Sequence, residues 1–217
     1  YEISACLVGS EMCIRDRADH GDGMGSHRMV TKQVSFYEEM TNVPFIIAGP
    51  GIHPRQKPVE DLLTQPTIDL LPTLCELAGI PVPSSKPGIS LAPFLKGEKQ
   101  KRQHPYAASE WHSEYEVTVS PGRMIRSPRY KYTHYLEGNG EELYDMLKDK
   151  GERRNLAHDP KYSKILAEHR ALLDDYIRRT QDDYRSLKVE ADKRWRSHVP
   201  GYPNHEGPCA RDIINRK

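Results

Sequence analysis

The segment GRMIRSPRYKYTHYLEGNGEELYDM, residues 122–146, limits the possible folds more than any other part of the chain. Aromatic and aliphatic residues are concentrated in short runs that favour strands. We predict strands over residues 123–126, 130–136 and 142–146. Ser127-Pro128 occupies the first turn, and Asn139-Gly140 lies in the second, where an Asn-Gly pair is a strong hairpin signal. The segment is therefore predicted to form a small antiparallel sheet.

A long helix is predicted after this sheet. Asp159 and Pro160 suit its start, as the N-cap and the first residue. The apolar positions that follow recur at helical spacing and define one face. That face consists of Ile165, Leu166, His169, Leu172, Leu173, Tyr176 and Ile177. A helix of this kind buries its apolar face against another layer, so we expect it to pack on the sheet with His169 as a core histidine.

A different arrangement is indicated upstream. Residues 43–48, VPFIIA, form an apolar run closed by a Gly-Pro-Gly turn, which is typical of a buried strand. Residues 64–83, TQPTIDLLPTLCELAGIPVP, place apolar side chains at helical spacing, with Pro66 in the first turn. Pro72 lies inside that pattern, so the helix is expected either to kink there or to begin later. A strand followed by a helix is typical of the end of an α/β domain.

The charge pattern excludes several classes of partner. The chain has 217 residues, 29% of them charged, and a formal net charge of +1. Both signs are interspersed, so there is no basic stripe of the kind that nucleic-acid binding requires. No stretch approaches the ~18 consecutive apolar residues of a membrane-spanning helix. We therefore expect neither a nucleic-acid partner nor a membrane span.

Residues 18–32, ADHGDGMGSHRMVTK, contain the densest group of chemically reactive side chains. Asp19 and His20 are adjacent, and loops at the strand ends of open α/β sheets are where ligands bind. One carboxylate and one imidazole would form half of a metal site, since the carboxylate suits Ca²⁺ or Mg²⁺ and the imidazole adds transition metals. It is equally consistent with the sequence that Asp19 caps the following turn and that His20 is an ordinary loop histidine.

Two further residues are candidates for contact with a substrate. Lys32 lies thirteen residues after Asp19, and its ammonium would suit an oxyanion, although most lysines are simply surface residues. If they form one site, Asp19, His20 and Lys32 should converge, with Asp19 and Lys32 held apart by the anion between them. His112, beside Trp111, would suit a sugar or aryl face, and packing between subdomains is the competing explanation.

The residues before Ala18 do not have the apolar pattern of the strand that usually precedes an acid-His-Gly cluster. Residues 7–16, LVGSEMCIRD, instead resemble a translated sequencing adapter. We therefore expect residues 1–17 to be non-native and not to pair with residues 43–48 as a native strand. An unusual but genuine N-terminus is the alternative.

Four segments, taken in order, resemble the type I sulfatases of the alkaline-phosphatase-like superfamily. The first, residues 18–32 together with YEEMTNVPFIIAGPGI, is similar to the second signature region of that family. The others are TIDLLPTLCELAGIPVP, GISLAPFLKGE and RSPRYKYTHYLEGNGEELYDMLKDKGERRNLA. Together they extend from residue 18 to about residue 182, and their common order makes the resemblance specific.

The resemblance implies a fold class and a set of site residues. The fold is α/β: the C-terminal part of an alkaline-phosphatase-like mixed-sheet domain, followed by a small antiparallel-sheet subdomain with a long helix. One divalent cation, usually Ca²⁺, is implied, with Asp19 and His20 as two of its ligands. Lys32 is implied as a catalytic residue that contacts the sulfate. His112 remains a candidate for binding the rest of the substrate.

The family also uses a formylglycine nucleophile, which a formylglycine-generating or sulfatase-maturing enzyme makes from Cys or Ser in a C/S-x-P-x-R motif. No such motif occurs in these 217 residues, and the early pair of aspartate ligands is absent. We therefore interpret the chain as a C-terminal fragment of a sulfatase that acts on a sulfated sugar or related small molecule, and we expect it to be inactive alone. A periplasmic or secreted location is implied.

Two other functions are consistent with the sequence. One is a phosphodiesterase or phosphonate monoester hydrolase of the same superfamily, and the other is a non-catalytic fragment. For any of them we predict four parts. Residues 1–17 are the non-native segment, 18–103 the remainder of the catalytic domain, 104–182 the sheet-and-helix subdomain, and 183–217 a polar tail.

Overall fold

A computed structural model of the chain describes residues 14–29, 35–55, 57–59, 62–85, 87–99, 104–111, 121–136 and 140–187. Within these residues the strands form two sheets, one of two strands and one of four. None of the helices in this part of the chain has the length and apolarity needed to cross a bilayer.

The four-stranded sheet is antiparallel, and its strands lie side by side in chain order. Its strands are Ala107–Trp111 (β3), Gly122–Arg126 (β4), Tyr130–Tyr135 (β5) and Gly140–Asp145 (β6). The three predicted strands are confirmed close to their predicted bounds. The sequence did not predict β3, because AASEW is poor in strand-favouring residues. It forms because its backbone pairs along the whole length of β4.

The long helix α4, Ser163–Thr180, packs on one face of this sheet. A 3-10 turn, Pro160–Tyr162, precedes it, and the side chain of Asp159 caps that turn by accepting a hydrogen bond from the Lys161 N–H at 3.1 Å. The apolar core consists of Tyr106, Ile125, Tyr132, Leu143, Leu156, Leu166 and Leu173. The predicted helix and its contact with the sheet are confirmed.

His169 is a core histidine, as predicted, and is only 4% exposed. Its Nδ1–H donates to the Ile165 carbonyl at 2.8 Å. The other ring nitrogen, Nε2, lies 2.9 Å from the Ser127 hydroxyl, which can donate to it. Burial lowers the pKa of His169, so the ring is held neutral with both nitrogens satisfied.

The opposite face of the sheet is covered by residues 36–41. Phe36 is buried there, and its ring lies so close to β4 that a Cβ added at Gly122 would be 2.6 Å from Phe36 Cε2. The short helix α1, Glu38–Thr41, follows. Because both faces are covered, strand residues that point away from α4 are also buried.

The upstream region contains β2, Phe45–Ala48, the helix α2, Pro66–Leu77, and the short α3, Ala92–Leu95. The predicted strand and helix are confirmed. The helix begins at Pro66 and continues through Pro72, so the later start is wrong. Pro72 offers no N–H to the Ile68 carbonyl. Gly88 packs closely against the Ile68 carbonyl instead, because a Cβ added at Gly88 would lie 2.1 Å from the Ile68 oxygen.

Asp69 connects α2 to the segments that follow it. Its carboxylate is fully buried and accepts hydrogen bonds from the backbone N–H groups of Gln65 at 2.7 Å and Ile89 at 2.8 Å. It also lies 2.7 Å from His104 Nε2. The Gln65 side chain in turn accepts a hydrogen bond from the Ala108 N–H in β3 at 2.9 Å. The helix is therefore attached directly to the first strand of the larger sheet.

The two-stranded sheet contains β1, Ile14–Arg17, which pairs antiparallel with β2. The expectation that residues 1–17 do not pair with residues 43–48 is therefore wrong for these four residues. Antiparallel pairing uses backbone N–H and C=O groups, so it does not require an apolar strand pattern. Asp16 and Arg17 of this strand are exposed. Residues 1–13 lie outside the described part of the chain.

The chain continues to pack on the sheet beyond residue 182. A 3-10 turn, Tyr184–Ser186, buries Tyr184 completely, and its hydroxyl donates to the His134 carbonyl at 2.8 Å. Arg123 lies under the Tyr184 ring and forms two hydrogen bonds to the Asp182 carboxylate, at 2.6 and 2.9 Å. The first residues of the predicted tail thus belong to the core of the subdomain.

Candidate metal and substrate site

Asp19 and His20 lie in an open loop immediately after β1. Asp19 Oδ1 accepts a hydrogen bond from the His20 backbone N–H at 3.0 Å, which is a local turn contact of the kind that the sequence allowed. The other carboxylate oxygen, Oδ2, lies 3.6 Å from His20 Nε2. The Asp19 side chain is 84% exposed and the His20 side chain is 43% exposed, so both are accessible to a ligand.

The orientation of the His20 ring suits metal binding. Its Nδ1 lies 2.8 Å from the Gly21 carbonyl, which can only accept, so Nδ1 carries the proton. Nε2 then keeps its lone pair and faces Asp19 Oδ2. A carboxylate oxygen and an imidazole nitrogen are both donors for divalent cations, and these two atoms lie close enough together to bind the same ion. The donor set therefore fits two ligands of a divalent cation, and the cation itself stays a prediction.

Gly21 holds this loop against α1. Its N–H donates to the Met40 carbonyl at 2.9 Å. A Cβ added at Gly21 would lie 1.7 Å from the Glu39 carbonyl oxygen, so no side chain fits at this contact. The position of His20 is consequently set by the position of α1.

The loop beyond Gly21 adopts a tight conformation. Asp22 Oδ1 accepts a hydrogen bond from the Met24 N–H at 3.2 Å, so the Asp22 side chain stabilises a turn. Met24, His27 and Arg28 all have positive φ values, which are uncommon for residues other than glycine. The His27 ring stacks on Tyr37, with centroids 3.7 Å apart. These contacts return the chain to the neighbourhood of α1.

A buried ion-pair cluster fastens α1 to the sheet. Lys131 on β5 is 1% exposed, and its Nζ lies 2.8 Å from both Glu38 Oε1 and Glu152 Oε1. It also donates to the Phe36 carbonyl at 2.7 Å. The second oxygen of Glu152 accepts a hydrogen bond from the Glu38 backbone N–H at 2.6 Å. Arg126 is a second, more distant basic partner of Glu38, with 3.8 Å between Arg126 Nε and Glu38 Oε1.

His27, Glu39 and Glu152 form a second group that could hold a metal ion, with one donor atom from each lying within 4.8 Å of the others. The closest His27–Glu39 approach is 4.0 Å. Glu152 is already paired with the Lys131 ammonium, which would repel a second cation. The arrangement therefore fits an ion-paired core better than a metal centre.

Glu142 on β6 titrates unusually in this environment. Burial and the nearby Glu152 carboxylate together raise its pKa from 4.5 to about 7, with Lys131 opposing part of the shift. Between those two pH values the folded chain binds a proton that the unfolded chain does not. Stability is therefore lost as the pH rises through this window.

The variant Glu142→Gln is expected to remove that loss, because a neutral amide stays uncharged at every pH. Between pH 5 and pH 8, the free energy of unfolding should therefore fall less in the variant than in the parent chain. The difference should be on the order of 1–3 kcal/mol. Denaturant titrations at the two pH values would measure it. Glu141→Gln is the matched control: Arg170 lowers the pKa of Glu141, so this variant should lose stability at pH 8. An unchanged pH dependence in Glu142→Gln would contradict the assignment.

The structure locates only part of the predicted site. Asp19 and His20 are described and come together, whereas Lys32 and His112 lie outside the described residues, so their convergence stays a prediction. Sequence reasoning missed Lys131 and Glu152. The one signal was the alternation in YKYTHY, which places Lys131 on the face opposite Tyr130 and Tyr132.

Comparison with known proteins identifies relatives of this chain. Residues 25–179 match the family described as N-sulphoglucosamine sulphohydrolase, C-terminal. The Delta 4,5-hexuronate-2-O-sulfatase of Bacteroides thetaiotaomicron is 77% identical over 200 residues, which cover 92% of this chain and 42% of that protein. The solved structure of a 2-O GAG sulfatase is 76% identical with a TM-score of 0.81, covering 93% of this chain and 43% of that one.

A more distant solved structure belongs to the phosphonate monoester hydrolase of Agrobacterium radiobacter. It is 26% identical with a TM-score of 0.62, covering 75% of this chain and 34% of that one. The chain thus spans less than half the length of each of these relatives.

Proposed function

The chain belongs to the sulfatase family, with its alkaline-phosphatase-like fold, and from this we propose that the full-length protein hydrolyses a sulfate ester on a carbohydrate. The substrate class that we propose is a hexuronate carrying a 2-O-sulfate. The 77% identity across 92% of the chain to a Delta 4,5-hexuronate-2-O-sulfatase is the observation that carries the proposal. The phosphonate monoester hydrolase is far less similar, at 26% identity.

The roles proposed for the residues of this chain follow from their chemistry. Asp19 and His20 would hold one divalent cation, since a carboxylate oxygen and a ring nitrogen, both suitable donors, face each other there. When bound, such a cation polarises the sulfate oxygens. The His20 Nδ1–H stays on the Gly21 carbonyl, which fixes the ring. Lys32 donates to the sulfate oxygens as charge develops on them.

The remaining parts of the proposal concern the family's other requirements. We propose Ca²⁺ as the cation, because an open, oxygen-containing donor set suits a hard ion. The formylglycine nucleophile, its maturing enzyme and a periplasmic or secreted location belong to the same proposal. His112 is proposed to contact the sugar.

A substrate comparison would test the function. The full-length protein is expected to release sulfate from an unsaturated disaccharide bearing one 2-O-sulfate on its hexuronate. The same disaccharide bearing its sulfate only on the other sugar should react at least about 100-fold more slowly. Its sulfate ester would not be correctly oriented relative to the catalytic groups. The 217-residue chain alone should give no turnover. Faster hydrolysis of a phosphonate monoester than of either sulfate would favour the alternative function.

A further inference from the structure

Lys131 lies on β5 in the C-terminal subdomain, yet in the described part of the chain its ammonium forms its hydrogen bonds and ion pairs with groups outside the sheet. Within the described residues its Nζ contacts Glu38 and Glu152, the Phe36 carbonyl, and more weakly the Thr41 hydroxyl at 3.5 Å. Both Lys131 and Glu152 have side chains that are only 1% exposed. The ammonium therefore joins β5 to both ends of α1 inside the protein.

The same helix supports the loop that carries Asp19 and His20. The N–H of Gly21 donates to the carbonyl of Met40, in the middle of α1. The contact is so close that an added Cβ at Gly21 would overlap the Glu39 carbonyl. A displacement of α1 must therefore displace His20, which precedes Gly21 directly and is hydrogen-bonded to its carbonyl.

We propose that Lys131 is a positioning residue for the Asp19–His20 pair, acting through α1 and Gly21. The proposal rests on the metal-binding role given to this pair in the proposed function. According to this proposal, the antiparallel subdomain helps to position the active-site residues Asp19 and His20.

A purely structural role explains the cluster less well. Removing water from two charges costs free energy that their attraction largely only offsets, so a buried ion pair is weak support for stability. The charge-assisted contacts of a buried ion pair do, however, restrict the positions of the two charged side chains relative to each other. Lys131 makes three contacts below 3 Å, namely a hydrogen bond to the Phe36 carbonyl and ion pairs to Glu38 and Glu152. Glu152 in turn accepts a hydrogen bond from the Glu38 backbone N–H at the start of α1.

The test compares two buried cations on opposite faces of the same sheet, in the full-length protein. Lys131→Met removes the connection to α1, and Arg123→Met removes the pairing with Asp182 on the α4 face. Each variant is stripped of metal and titrated with Ca²⁺ by calorimetry, and its kcat and thermal midpoint are measured. Both should unfold at lower temperature than the parent. Lys131→Met should bind Ca²⁺ at least about 10-fold more weakly, as for residues that support metal ligands, and Arg123→Met should stay within about twofold.

Equal Ca²⁺ affinity in the two variants would overturn the proposal. The neutral double variant Lys131→Met/Glu152→Gln leaves no unpaired charge and covers the case in which the single variant fails to fold. It should show the same loss of Ca²⁺ affinity, and normal affinity in it would also overturn the proposal. Asp19→Ala separates the two hypotheses: if it binds Ca²⁺ normally, the metal assignment fails, and if it alone loses Ca²⁺, the positioning role fails.

Discussion

Replacing Asp19 by alanine in the full-length protein is expected to lower kcat/KM by about 10³-fold or more. Asp19 Oδ2 and His20 Nε2 are the facing donors of the proposed cation site. Charge stabilisation of the type that a bound cation supplies is worth several kcal/mol in a transition state, and each ~1.4 kcal/mol is a factor of ten in rate. Sulfate release and the metal content of the purified variant would both be measured.

Asp22→Ala is the matched control for that substitution. Asp22 is an exposed carboxylate in the same loop, and the contact found for it is a turn hydrogen bond to the Met24 N–H. We expect a loss of less than about tenfold, since a single exposed turn hydrogen bond contributes only ~1 kcal/mol. Full activity and unchanged metal content in Asp19→Ala would show that the metal assignment is wrong.

Gly21→Ala is expected to have the second largest effect. The new Cβ would lie 1.7 Å from the Glu39 carbonyl oxygen and 2.8 Å from its carbon, and both are backbone atoms that cannot rotate away. The loop must move off α1, which breaks the hydrogen bond to the Met40 carbonyl. We expect activity to fall about 100-fold, as for a displacement of about 1 Å at a catalytic group, and stability to fall by about 1–3 kcal/mol from overpacking.

Gly25→Ala separates crowding from backbone strain in this experiment. Gly25 has a φ of +96°, but a Cβ there would meet nothing within 4 Å. It should therefore lose about 1 kcal/mol of stability from the unfavourable φ and keep most of its activity. If Gly21→Ala retained parental kcat/KM, the contact with α1 would not determine the geometry of the site.

The elements that were predicted correctly are those with a strong local pattern. The strands β4, β5 and β6 have aromatic and aliphatic runs bounded by turn residues, and α4 has an apolar face and an Asp-Pro start. The strand β3 has no such pattern and exists because β4 offers it an edge. The pairing of β1 with β2 has the same origin, which is why a segment without a strand pattern could still form one.

Only the part of the site that is formed by residues adjacent in the sequence could be predicted from the sequence. Asp19 and His20 stand out because they are adjacent in a glycine-rich loop. The orientation of the His20 ring was not predictable, since it depends on the hydrogen bond to the Gly21 carbonyl. The roles of Lys32 and His112 stay predictions from resemblance and residue type.

The sequence by itself determined the family and the fold class, through four segments in a specific order, and it singled out the adjacent Asp19 and His20 as proposed metal ligands. The support of that pair was decided only by the tertiary structure. Lys131 reaches the Phe36 carbonyl across 95 positions of the chain, and Glu152 reaches the Glu38 N–H across 114. No periodicity extends over such separations. These contacts exist because a sheet covered on both faces buries a lysine, and a buried ammonium must find its partners wherever the fold brings carboxylates within reach.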